Sequence, residues 1–145
     1  MNALEIRNLT KRFGDRAAVD NLSLEVPEGG ALALLGLNGA GKTTTLKLAA
    51  GLLEVFVMGH PAGNPEARAA LGLSPQESAV AENLTVWENL ELMASVRGMD
   101  KDHARRAAES ALGELGLQEV RLQRAKRLSG GWKRRLSIAM ALLGN

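Results

Sequence analysis

At 145 residues, 46% hydrophobic and 23% charged, the chain has the size and composition of one ordinary globular domain with a single sizeable core. No apolar run approaches the roughly 20 residues a membrane-spanning helix needs, and the N-terminus lacks the apolar stretch of a signal peptide. With no cysteine, disulfides and thiolate metal sites are excluded, and His60 and His103 are too far apart in sequence for ligand-like spacing. The net charge of +2 hides an asymmetry: residues 1–120 hold 11 Lys/Arg against 16 Asp/Glu, and residues 121–145 hold 7 Lys/Arg and no acid. A basic tail of this kind can bind nucleic acid. The preferred reading is that further acidic segments would balance it.

In chain order, Leu4-Glu5-Ile6-Arg7 and Leu22-Ser23-Leu24-Glu25-Val26 alternate apolar and polar residues, the pattern of half-buried strands. Pro27-Glu28-Gly29-Gly30 makes a turn. Ala31-Leu32-Ala33-Leu34-Leu35 is uniformly apolar, as expected of a strand covered on both faces in a parallel sheet. A glycine-rich loop follows, and Thr43 to Ala50 reads as a helix with Leu46, Ala49 and Ala50 on one face. Val55–Met58 and Ala70–Leu73 are short strand candidates. From Thr85 the period becomes helical: Thr85 and Glu88 form a capping box, with Val86, Leu90 and Met93 at helix spacing. Asp100 caps a second helix with Ala104, Ala108, Ala111 and Leu115 on a shared face, and Gly116 ends it. A third helix starts at Ser129 and carries Trp132, Leu136, Ala139, Met140 and Leu143 on one side.

The glycine-rich loop is Gly36-Leu37-Asn38-Gly39-Ala40-Gly41-Lys42-Thr43, which meets the pattern G-x-x-x-x-G-K-[ST]. Glycines let the backbone curl so that successive N–H groups converge on phosphate oxygens, and the helix that follows presents its positive dipole end. Lys42 then bridges the β- and γ-phosphates, the Thr43 hydroxyl holds Mg²⁺, and Thr44 reaches a phosphate further back. The position between an apolar strand and a helix separates this match from an ordinary glycine turn.

Together the motifs resemble the ATP-binding-cassette (ABC) ATPase domain over nearly the whole chain. Leu9-Thr10-Lys11-Arg12-Phe13-Gly14 is similar to the family's opening segment, which makes Phe13 the candidate for stacking on adenine. Leu73-Ser74-Pro75-Gln76-Glu77 resembles the Q-loop, so Gln76 is expected to contact Mg²⁺ and its water and to sense a membrane partner. Leu128-Ser129-Gly130-Gly131-Trp132 resembles the signature, whose Ser129, Gly130 and Gly131 would bind the γ-phosphate held by another cassette's loop. With Leu84-Thr85-Val86-Trp87-Glu88-Asn89-Leu90 and Lys133-Arg134-Arg135-Leu136, the wording looks most like bacterial exporters of drugs, lipids or polysaccharides.

The resemblance implies an α/β P-loop NTPase of ABC type: a parallel-sheet core with an N-terminal antiparallel β-subdomain and a helical subdomain, incomplete as given. The expected division is 1–83 for β-subdomain and loop core and 84–145 for the helical part. It also implies ATP and Mg²⁺ as cofactors, a homodimer or heterodimer of cassettes, a separate transmembrane permease, and a cytoplasmic site at the inner face of the membrane. Nucleic acid is not an expected partner, and Lys133-Arg134-Arg135 reads as a solvated helix face. Two alternatives stay open. One is a soluble ABC protein acting on ribosomes or nucleic acid; against its DNA-repair form, only 86 residues separate Lys42 from Ser129, without sustained heptads. The other is a nucleotide-binding fragment without catalysis, because the Walker B Asp and catalytic Glu are not among these residues. Three further departures stand out: the short segment after Leu52-Leu53-Glu54, Leu37 where the family usually has Pro, and Trp132 where it usually has Gln.

Overall fold

In a computed structural model, residues 1–50, 55–75 and 80–143 are described. They divide into two compact units, Met1–Leu71 and Gly72–Asn145, ahead of the 83/84 boundary expected from sequence.

The first unit is built on a four-stranded antiparallel sheet of order β2-β1-β3-β4. β1 (Asn2–Phe13) and β2 (Arg16–Pro27) form a long hairpin closed by the two-residue turn Gly14-Asp15. Along β2 the alternation read from sequence is the observed burial: Leu22, Leu24 and Val26 are half-buried, and Ser23 and Glu25 are exposed. Mid-hairpin the register shifts around the pair Leu9↔Leu22. Asn8 and Asn21 there adopt φ of 50° and 47°, a region asparagine tolerates better than most residues. Their N–H groups leave the ladder and donate across the hairpin to hydroxyls, Asn8 to Ser23 Oγ and Asn21 to Thr10 Oγ1, both at 2.9 Å.

β3 (Val55–Val57) pairs antiparallel with β1, and β4 (His60–Pro61) returns beside it through Met58-Gly59. Both turn residues have positive φ, as a type I′ hairpin requires. α1 (Lys42–Ala49) and the short α2 (Pro65–Ala69), which sequence periodicity did not reveal, complete the unit. Ile6, Leu9, Val19, Leu48, Ala49, Val55 and Val57 form its buried core.

The strand expected over 31–35 is not formed, nor is one at 70–73. Strand identity depends on a hydrogen-bonding neighbour, and none of the described strands pairs with Ala31–Leu35, so the described sheet is wholly antiparallel. Leu35 is 91% exposed and Leu32 51%. Leu32 and Leu34 instead line an apolar cavity of about 210 Å³ with Leu24 and Val26 of β2 and Leu46 of α1. The helix buries Thr45, Leu48 and Ala49 rather than the expected Leu46-Ala49-Ala50 face, and Leu46 is 56% exposed.

The second unit is helical. α3 (Val86–Val96) starts at the expected capping box: Thr85 Oγ1 accepts from Glu88 N–H at 3.1 Å, and Glu88 Oε2 accepts from Thr85 N–H at 2.7 Å. α4 (Lys101–Glu114) is capped by Asp100, whose carboxylate accepts the N–H groups of Asp102 and His103 at 3.0 and 2.9 Å. It buries Ala108, Ala111 and Leu112, close to the face expected from sequence. Both helices end in reciprocal main-chain bonds: Met99 N–H to Ala94 O and Gly98 N–H to Ser95 O, then Leu117 N–H to Leu112 O and Gly116 N–H to Gly113 O. α5 (Gly130–Leu142) follows two 3₁₀ turns at Gln118–Val120 and Ala125–Arg127. Val86, Leu90, Ala108, Leu112, Leu117, Leu136 and Ala139 make this unit's core.

Asn89 is fully buried within that core. Its carbonyl accepts Ala81 N–H at 2.7 Å, and its amide donates to Ala81 O at 3.1 Å and Thr85 O at 2.9 Å. One side chain thus holds the segment leading into α3. Asn89→Ala strands these main-chain groups away from water and is expected to cost about 2–4 kcal/mol in denaturant unfolding; a loss below about 0.5 kcal/mol, the range of an ordinary surface change, would contradict this.

The backbone N–H of His103, its ring and the N–H of Asp102 together draw the Asp100 pKa from 3.8 down to about 2. Because the folded value is the depressed one, its contribution is full above the unfolded pKa and fades as pH falls between those values. The parent is therefore expected to lose stability from pH 4 to pH 2 more steeply than Asp100→Asn, which keeps the cap and cannot ionise. Parallel acid melts of the two proteins would contradict the assignment.

Candidate nucleotide site

The loop between Gly36 and Lys42 carries the phosphate-binding pattern, and its geometry begins with Gly41. This residue is the N-cap of α1, with φ 83° and no capping side chain. A Cβ placed on it would lie 2.1 Å from the Ala18 carbonyl oxygen of β2, far inside contact distance. Only glycine fits both that conformation and that approach. Lys42 folds back over the loop: Nζ donates to Gly36 O at 2.6 Å and Leu37 O at 2.8 Å. Ala40 N–H closes a turn onto Leu37 O at 3.1 Å. These bonds curl Gly36–Gly41 around the lysine ammonium.

α1 begins with no acidic residue in its first turn, so no carboxylate occupies the positive end of its dipole. Thr43 is exposed and Thr44 half-buried at that end. Thr45, which sequence reading did not single out, is buried, and its hydroxyl donates to Gly41 O at 3.0 Å; a back-bond to the i−4 carbonyl is a common use of threonine in helices. Asn38 and Gly39 are exposed at the crest of the loop. A narrow glycine cradle, first-turn N–H groups with no partner among the described residues, and a lysine at the mouth are the donor set a nucleotide polyphosphate needs. Phe13, at the end of β1, is 61% exposed with Lys11 Nζ 5.4 Å from its ring centroid. It is therefore a surface aromatic, not a core residue.

In the helical unit, Ser129 sits at the N-cap of α5, as expected, but its side chain makes no cap bond. Gly130 and Gly131 are exposed, with open space where a Cβ would stand. The first turn holds no acid, which leaves this helix start suited to an anion as well. Trp132 is turned partly into the unit's core, with the Arg135 guanidinium 5.0 Å from its ring. No atom of the ring lies within 4 Å of the point where a side chain on Gly130 would begin.

The expected solvated face at 133–135 is more tied down than its composition implies. Lys133 Nζ bonds Glu82 Oε1 at 2.8 Å, holding that carboxyl below its ordinary pKa, and Arg134 Nη1 donates to Pro75 O at 2.8 Å. Ser74 Oγ and the buried Ser137 Oγ lie 2.9 Å apart. α5 thus grips the chain on both sides of residues 76–79. Gln76, like the short connection at 51–54, lies outside the described residues. Among the described residues no cluster of three His, Cys, Asp or Glu forms a metal site, and no helix is long and apolar enough to cross a membrane.

Known proteins match this arrangement. The ABC transporter family model matches residues 19–145. The human phospholipid-transporting ATPase ABCA7 is 40% identical over 99% of this chain, which covers 7% of that protein. The mouse cholesterol transporter ABCA5 is 34% identical over 99% of this chain, covering 10% of its own length. Among solved structures, an ATP-binding subunit of an ABC transporter superimposes with TM-score 0.80 at 30% identity, over 97% of this chain and 62% of that one. CbiO1 of Clostridium perfringens, part of the ABC transporter complex cbiONQ, gives TM-score 0.84 at 21% identity, over 99% of this chain and 62% of its own, a likeness of fold. The chain belongs to the ABC transporter family and is an ATP-binding domain of the ABC ATPase type. It spans about a tenth or less of the curated relatives and under two thirds of the solved cassettes it matches.

Proposed function

We propose that this cassette binds ATP with Mg²⁺ and, as one half of a cassette dimer, drives a membrane transporter. The observation that carries the reading is the loop itself: Gly41 pressed against the Ala18 carbonyl, with Lys42 drawn over Gly36 and Leu37. In this site Lys42 neutralises phosphate charge, and the N–H groups of Leu37, Asn38, Gly39, Gly41 and Lys42 together with Thr44 hold phosphate oxygens, while Ala40 N–H keeps the turn onto Leu37 O. Thr43 and Gln76 hold the metal, and Phe13 takes the adenine ring. Bound Mg·ATP supplies a phosphoryl group whose transfer to water depends on positioning and charge neutralisation rather than covalent catalysis. Ser129, Gly130 and Gly131 serve the nucleotide of the opposite cassette.

The direction and cargo we propose are outward movement of a lipid or similarly amphipathic molecule. The supporting evidence is the similarity to relatives named as phospholipid and cholesterol transporters. The membrane part is a separate transmembrane permease subunit that holds this cassette at the inner face of the membrane, in keeping with the likeness to a structure titled an ATP-binding subunit. Docking near Gln76 and beside Trp87 would pass ATP-driven dimer closure to that permease.

Lys42→Ala is expected to weaken ATP binding by about tenfold or more, the value of one charge-assisted contact, with the thermal midpoint little changed. Calorimetric titration with Mg·ATP checks this; equal affinity of parent and variant would overturn the loop assignment.

A further inference from the structure

The hairpin end opposite the sheet's core places a second cation at the loop. Phe13 and Arg16 pair directly across the Gly14-Asp15 turn, so a ring and a guanidinium stand on the two legs of the same hairpin tip. Arg16 Nη2 lies 3.6 Å from the point where a side chain on Gly39 would begin. Two residues further along β2, Ala18 O meets Gly41. Along β2, the Arg16 side chain thus stands at Gly39 and the Ala18 carbonyl at Gly41. One strand therefore faces both glycines of the loop, Gly39 through the Arg16 side chain and Gly41 through the Ala18 carbonyl.

The guanidinium is also uncommitted. Among the described residues the ion pairs are Arg7–Glu5, His103–Asp100, Arg121–Glu109 and Lys133–Glu82, and none uses Arg16. At the hairpin tip the Asp15 carbonyl is taken by Arg12 at 2.7 Å. An exposed Arg beside the crest of a phosphate-binding loop presents a planar fork of donors suited to phosphate oxygens.

The geometry points to Arg16 as a phosphate-contacting residue of the nucleotide site, supplied by the β1–β2 hairpin and acting beside Lys42. This inference rests on the nucleotide-site reading above. Its signature is a contribution that depends on the polyphosphate and not on the nucleoside. Lys42 approaches from within the loop, over Gly36 and Leu37, and Arg16 from the hairpin side at Gly39, so the two cations flank the loop. Phe13, one strand across, remains available to the base.

Calorimetric titration of the 145-residue chain with adenosine, ADP and ATP, each with Mg²⁺, tests it in the parent, Arg16→Gln, Arg16→Lys and Lys42→Ala. Arg16→Gln should weaken ATP and ADP by about tenfold and leave adenosine within about twofold, as loss of a charge-assisted fork predicts. Arg16→Lys should fall between, because it keeps the charge and loses the fork. Unchanged ATP affinity in Arg16→Gln, or equal weakening of adenosine and ATP, would overturn the inference while leaving the loop assignment intact. If the parent binds ATP no more tightly than adenosine, and Lys42→Ala changes nothing, the loop assignment fails and the role of Arg16 goes with it. Far-UV circular dichroism of each variant verifies the β-unit, since an exposed Arg contributes little to its folding.

Discussion

The backbone of β2 and the glycine at the start of α1 approach until the Ala18 carbonyl occupies the space a side chain on residue 41 would need. The glycine-rich loop takes its form around that contact. It sets where α1 begins, and hence where its free N–H groups point. It brings Thr45 back onto the Gly41 carbonyl and lets Lys42 close over Gly36 and Leu37. Two residues earlier, the same strand presents the Arg16 side chain to Gly39. The loop thus meets a hairpin edge and keeps its curl although Ala31–Leu35 pairs with none of the described strands.

The helical unit solves a comparable problem with side chains. α3 begins where two chain segments run together: Val86 and Trp87 N–H groups donate to the carbonyls of Gln123 and Arg121, and Ala125 N–H to Leu84 O. Arg121 stacks 4.1 Å over the Trp87 ring and pairs with Glu109. Asn89 holds the same region from within. From the other side α5 takes up Ser74, Pro75 and Glu82 through Ser137, Arg134 and Lys133. The helix whose first turn carries Ser129, Gly130 and Gly131 is therefore bonded to both flanks of the segment containing Gln76. Arg121, Lys133 and Arg134, three of the seven basic residues at 121–135, are used in these contacts.

What could be read in the sequence was what nearby residues decide. The capping box at Thr85, the Asp100 cap and the stop at Gly116 each depend on a few consecutive positions, and each has the expected form. The loop from Gly36 to Thr43 leads into a helix as expected, but the strand expected before it is not formed. Alternation predicted both legs of the hairpin for the same reason. The apolar run at 31–35 failed because a strand is a relation between two segments, and periodicity within one cannot supply the other. Leu46 and Leu48 are indistinguishable as apolar helix residues until the sheet decides which is covered. Asn89 and Arg16 were passed over because a buried amide clamp and a cross-strand cation are visible only once residues distant in sequence are neighbours. The Asn64-Pro65 start of α2 is a local signal, proline at a first helical position, that could have been used.

Gly41→Ala tests the central contact most directly. Both tryptophans, at 87 and 132, lie in the helical unit, so their fluorescence reports the folding of that unit while calorimetry reads Mg·ATP binding. A methyl group at residue 41 must push β2 and the loop apart, and the account predicts ATP affinity lower by about two orders of magnitude or undetectable, more than one lost charge-assisted contact accounts for, with an unchanged tryptophan transition. Parent-like ATP affinity in Gly41→Ala would contradict it, because the loop would then hold its form without the approach of Ala18.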